Sequence, residues 1–140
     1  MYLTNEQSDY YLSVLKIIAP KATGKLGYAV ARNMRNLSNS LTEYIERKNS
    51  LIIKYGTEIN GEISLNKSDE NYKLFLNDIK EFTNIEHDID IMKVSPSDIY
   101  NSTLSADVIS NIMFMIDEGD TNGWFTDYIY IRPWTRNNTR

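Results

Sequence analysis

The densest group of chemically capable side chains in this 140-residue chain is Glu86, His87, Asp88 and Asp90. Carboxylates at alternate positions share one face of a strand, where they could hold a hard cation. Same-face residues on a strand stand about 6.5 to 7 Å apart, however, so one ion could not draw in all three without outside ligands. Alternation also sends His87 to the opposite face. A solvated acidic edge is the plainer reading, and a basic partner could read the same stripe as an imitation of a nucleic-acid backbone.

Other groupings fall short of a reactive motif. Glu118, Asp120, Asn122 and Gly123 occupy positions one, three, five and six of a calcium-loop pattern. Position one should be Asp, and position twelve is Ile129 where a bidentate glutamate is needed, so an ordinary turn is expected. Gly24-Lys25-Leu26-Gly27 lacks the Gly-x4-Gly-Lys-Ser/Thr spacing of a phosphate loop and has no strand before it. Arg32, Arg35, Arg47 and Lys48 could line one helix face, but Glu43 and Glu46 interrupt them, which disfavours nucleic acid as a partner. Trp124, Tyr128, Tyr130 and Trp134 fall at even positions of one segment. As a strand they would share a face suited either to a protein interface or to the core. No serine stands in a nucleophile-elbow context, and the single histidine is directed into an apolar face. No enzymatic activity, cofactor or metal is expected.

Composition sets the frame. The chain carries 15 Lys and Arg, 19 Asp and Glu, and no cysteine, which removes disulfides and thiolate chemistry. Net charge is −4 but unevenly spread: residues 1–56 carry +4, residues 57–117 carry −8, and the remainder is neutral. Such a layout steers a charged partner or draws one part of the fold onto another. No apolar run approaches the roughly 18 residues of a membrane span, and the first residues lack a positive signal-peptide region, so a cytoplasmic protein is expected.

The elements that must position these residues begin with a heptad. Val30, Leu37, Tyr44 and Leu51 occupy one seam, Met34, Leu41 and Tyr55 the other, and only Lys48 breaks the pattern. This predicts one helix from about Thr23–Leu26 to Gly56, of about eight turns and roughly 40 Å, with the glycine as a left-handed cap. Thr4 and Gln7 have capping-box spacing before a first helix over 5–19 that ends at Pro20. A helical hairpin follows, whose shorter arm leaves the stripe from Tyr44 to Tyr55 for something else to cover.

Asn60-Gly61 predicts a turn between short strands burying Ile59, Ile63 and Leu65. Ser68 is the expected cap of a third helix with Tyr72, Phe75, Leu76, Ile79 and Phe82 on its apolar face. Ile85–Ile91 alternates as a half-buried strand. Ser95-Pro96 opens a helical turn. Ser105 opens a further helix, apolar nearly all round, that buries Val108, Ile109, Ile112, Met113 and Ile116. Trp124–Trp134 reads as an aromatic strand limited by Pro133.

Three of these segments carry a resemblance: Lys25–Leu37 continuing to Leu51–Gly56, Ile85–Ile91, and Leu104–Asp117. From Lys25 to Asp117 the chain resembles a family of small proteins of unknown function encoded by tailed phages and prophages of low-GC Gram-positive bacteria. The resemblance implies a phage origin and supplies no activity or site residues. Glu118–Arg140 departs from it as an extension.

The expectation is a single α+β domain over 1–140: a helical hairpin with one long helix (1–56), packed on a small antiparallel sheet with two shorter helices (57–117), then an aromatic extension (118–140). The expected function is that of a non-enzymatic phage accessory protein that binds a host or phage protein. An inhibitor of a host-defence component such as a CRISPR effector is the leading form. The alternative is an assembly or virion adaptor that forms a homo-oligomer through the long helix. Glu86, Asp88, Asp90, Trp124, Tyr128, Tyr130 and Trp134 are the expected partner-binding residues.

Overall fold

The computed structural model describes residues 1–117 and Gly119. Its elements run β1 (Tyr2–Thr4), α1 (Asn5–Ile18), α2 (Gly24–Tyr55), β2 (Thr57–Ile59), β3 (Glu62–Ser64), α3 (Glu70–Thr83), β4 (Glu86–Asp88), α4 (Pro96–Tyr100) and α5 (Ala106–Asn111), with 3-10 turns at Ala19–Lys21 and Met113–Met115. This is an α+β fold built on a helical hairpin and two antiparallel strand pairs, β1–β4 and β2–β3. The Trp124–Trp134 segment and the calcium-like loop lie outside the described residues. No helix among those described is long and apolar enough to cross a membrane.

Two compact units divide the chain, one from residues 1–10 and 36–89, the other from residues 11–35 and from 90 onward. In the first, Leu3, Leu37, Leu41, Tyr44, Phe75, Ile79 and Ile89 are buried. The capping box is in place: Thr4 N–H donates to Gln7 Oε1 (2.9 Å) and Gln7 N–H to Thr4 Oγ1 (3.1 Å), which satisfies donors that the first turn of α1 leaves open. β1 was not expected, because three residues ahead of a cap carry no periodicity. It pairs with β4 in the register Leu3 opposite His87, and the ladder is extended by Ile89 N–H to Met1 O (2.8 Å) and Asn5 N–H to Ile85 O (3.0 Å).

The far end of α2 is covered by α3, an element of the same unit. Tyr55 Oη donates to Asp78, Asn71 Nδ2 donates to Tyr55 O (3.2 Å), and the Arg47 guanidinium lies 5.4 Å above the Phe82 ring. Leu37, Leu41 and Tyr44 are buried, while Leu51 and Tyr55 are half-buried. Asp69 rather than Ser68 stands at the N-cap position of α3, with no capping bond from its side chain, and Leu76 on the expected apolar face is exposed.

The β2–β3 ribbon corrects the sequence reading. Its turn is as expected, with Asn60 at φ 53° and Gly61 at φ 81°, the two positive angles of a type I′ turn. Ile59 nevertheless pairs opposite Glu62 and Ile63 opposite Glu58. Across an even, two-residue turn, residues of like parity fall on opposite faces, so Ile59 and Ile63 cannot share a buried side. Ile59 is 61% and Ile63 40% exposed, and all six strand residues are exposed. Gly56 serves close approach rather than a left-handed cap. A Cβ there would meet Ile52 O at 2.5 Å, Ile63 Cγ2 at 2.7 Å and Ser64 O at 3.0 Å, and its φ is not positive.

In the second unit Leu12, Leu15, Ile18, Leu26, Ala29, Val30, Val94, Ile99, Ile109, Ile112, Met115 and Ile116 form the core. Ser95 and Asp98 make a capping box around Pro96 at the start of α4, as expected. The helix expected from Ser105 to Ile116 stops at Asn111. Ile112 leaves helical geometry and a 3-10 turn follows. Ile116 is extended because it bridges Val94, with Val94 N–H to Met115 O and Asp117 N–H to Val94 O both at 2.9 Å. Phe114 packs flat on Tyr11, ring centroids 3.9 Å apart.

Candidate functional site

The acidic residues are positioned by β4 and the segment after it. The strand is shorter than Ile85–Ile91, but Glu86, Asp88 and Asp90 are exposed while His87 and Ile91 are half-buried and Ile89 is buried, so most of the alternation holds. Ile85 departs from it at 44% exposed. The three carboxylates are not a free row. Asp88 Oδ1 accepts from the Met1 ammonium at 2.9 Å, and Asp90 Oδ2 from Arg32 Nη2 at 2.7 Å. Among the described residues no group of three His, Cys, Asp or Glu side chains could hold a metal ion. Trp124, Tyr128, Tyr130 and Trp134 lie outside the described residues.

The basic residues of α2 are largely engaged. Arg32 faces Asp90, Arg47 lies over Phe82, and Lys48 reaches Asp9 at 3.8 Å while sitting 5.9 Å from the Tyr44 ring centroid. Arg35 is exposed.

A cavity of about 520 Å³ opens within the first unit, a size in the range of small-molecule sites. Its α2 wall is Ser40, Glu43, Tyr44, Glu46, Arg47 and Ser50, of which Ser40, Glu43, Tyr44 and Arg47 recur at helical spacing on one face. Phe82 of α3, Ile85 of the link that follows and His87 of β4 line it, with Asn5 from the start of α1. Burial pushes the Tyr44 phenol above its ordinary value of 10.0, and the Asp9 and Glu6 carboxylates push it the same way.

Asn5 is only 3% exposed. Its Nδ2 donates to Phe82 O at 2.8 Å, which leaves Oδ1 as a buried acceptor with no partner; Ser40 Oγ is likewise buried and unpartnered. His87 and Tyr44 stand out in the sequence but this cavity does not, since its walls come from three separate stretches, residue 5, residues 40–50 and residues 82–87. Asn33 was also missed. Fully buried in the other unit, it clamps one backbone residue twice, Nδ2 to Met92 O (2.9 Å) and Met92 N–H to Oδ1 (2.7 Å). Its signal is the spacing Leu26, Ala29 and Val30, Asn33, Leu37, an apolar stripe with one amide inside it.

The fold and these surfaces define an α+β protein with a polar cavity and an exposed ribbon. Compared with protein-family models, curated proteins and solved structures, the chain finds no match.

Proposed function

We propose that this is a non-enzymatic protein-binding protein of phage origin whose partner is a component of host defence, a CRISPR effector being the leading case. The observation that supports this reading is the β2–β3 ribbon: all six strand residues are exposed, and neither outer edge is paired among the described residues. Unpaired edges offer a row of backbone donors and acceptors to a partner strand, and Ile59 and Ile63 add apolar contacts on the two faces. Arg32, Arg47 and Lys48 already have partners within the chain, which counts against a nucleic-acid role.

The test is capture by the tagged full chain from cells expressing a candidate effector, followed by an effector activity assay. Expected is recovery of the effector, inhibition of its activity, and loss of both when Ile59 is replaced by Pro, with helix content by circular dichroism unchanged. Failure to recover an effector, together with no protection of phage, overturns the reading. Light scattering across a concentration series separates the adaptor alternative, for which a stable oligomer is the mark.

A further inference from the structure

The register of the β2–β3 ribbon fixes which backbone groups it offers to a partner. Across a two-residue turn, Ile59 and Glu62 exchange both ladder bonds, as do Thr57 and Ser64, whereas Glu58 and Ile63 stand opposite each other without bonding. The N–H and C=O of Glu58 therefore point out from the β2 edge, and those of Ile63 from the β3 edge. No backbone partner for these groups is found among the described residues. The same register sorts the side chains: Thr57, Ile59, Glu62 and Ser64 share one face, Glu58 and Ile63 the other.

The two faces are not equivalent. Ile63 lies against the end of α2, where a Cβ on Gly56 would meet its Cγ2 at 2.7 Å, and it is 40% exposed against 61% for Ile59. Charge is one-sided as well. Residues 57–66 hold Glu58 and Glu62 with no Lys or Arg, and neither carboxylate has an ion pair among the described residues.

We propose that the β3 edge takes an antiparallel strand of the partner in which an apolar residue is followed directly by Lys or Arg; this rests on the ribbon being the partner-binding surface. The order follows from the register. The residue bonded to Ile63 projects on the face turned to α2, where an apolar side chain extends the cover that Ile63 begins. In an antiparallel strand the next residue stands opposite Glu62 on the open face. A basic side chain there meets an unpaired carboxylate and keeps its head in water, whereas an acidic one meets a like charge. On the β2 edge the basic residue would stand opposite Glu58 on the face turned to α2 and the apolar one on the open face, which buries less.

The test is titration of the isotope-labelled full chain with three capped peptides, Thr-Thr-Val-Lys-Thr-Thr, Thr-Thr-Val-Glu-Thr-Thr and Thr-Thr-Ser-Lys-Thr-Thr, followed by amide shifts and solvent exchange. Expected with the Val-Lys peptide are saturable shifts over residues 57–64, a Kd of about 1 mM, and slower exchange of Ile63 N–H but not of Glu58 N–H. The other two should bind at least about threefold more weakly. Glu62→Lys, an exposed site whose helix content is checked by circular dichroism, should transfer the preference to Val-Glu. Equal binding of Val-Lys and Val-Glu overturns the proposal and leaves the ribbon a strand-adding surface without a charge preference. Protection of Glu58 in place of Ile63 overturns it too. So does the absence of saturable shifts up to about 20 mM of any peptide. In that case effector capture by the Ile59→Pro chain decides the ribbon's role separately: the role stands if capture is lost and falls if capture is kept.

Discussion

Asn33 shows how much one polar side chain can hold. Its amide satisfies both backbone groups of Met92, so Asn33→Leu, close in size, should leave an N–H and a C=O without partners. The expected loss is about 2–4 kcal/mol in urea unfolding, and Asn33→Asp, which keeps the acceptor but loses the donor and buries charge, should fare no better. Tyr44 adds a dependence on alkaline pH. Its folded-state pKa is raised, so the folded protein holds the phenol proton where the unfolded chain has begun to release it. Its contribution is constant below pH 10 and is lost as pH rises above that value. Thermal melts from pH 9 to 11 should therefore fall less steeply for Tyr44→Phe than for the parent. Asn33 could be read only as part of a stripe, because its partner is a backbone group about sixty positions away. Asn5 gave no signal at all, because an unused lone pair is a property of the packed state.

The long helices were the most legible elements, because strong local signals mark them: Thr4 with Gln7 at the start of α1, and for α2 the heptad from Val30 with Gly56 after Tyr55. Shorter elements were read less well, for identifiable reasons. β1 exists only through its pairing with β4. Helix α5 ends early because Ile116 is drawn into a bridge with Val94, a long-range bond that outweighs local helical preference. Gly56 ends α2 where the sequence predicts, but through its missing Cβ and not through a left-handed φ. Gly56→Ala should force apart the end of α2 and the strand carrying Ile63. A loss of about 1–3 kcal/mol is expected in chemical denaturation, with little change in helix content.

Over the whole molecule, the opposite charges of residues 1–56 and 57–117 are used within the chain. Among the described residues, Lys25–Asp98, Arg32–Asp90 and Lys54–Asp78 each join the basic first part to the acidic second, and only Lys48–Asp9 lies within the first. Asymmetry legible in composition thus became ion pairing, though which residues pair depends on the fold. All are partly exposed and individually worth about 0–1 kcal/mol. Raising sodium chloride from low salt to about 1 M should consequently lower unfolding stability by no more than about 1–3 kcal/mol; a larger loss would show that pairing carries more of the fold than its exposure allows.

The ribbon turn also acts as a counting device. With two residues between the strands, one isoleucine goes to each face and neither face is oily enough to stick to its like. Exchanging the two residues after the turn, Glu62→Ile together with Ile63→Glu, would place an isoleucine directly opposite Ile59 on one face. The altered chain should keep its melting temperature yet self-associate on concentration, seen as a rising scattering mass at constant helix content. The order of residues across a single turn is then a control on colloidal behaviour, separate from any control on folding.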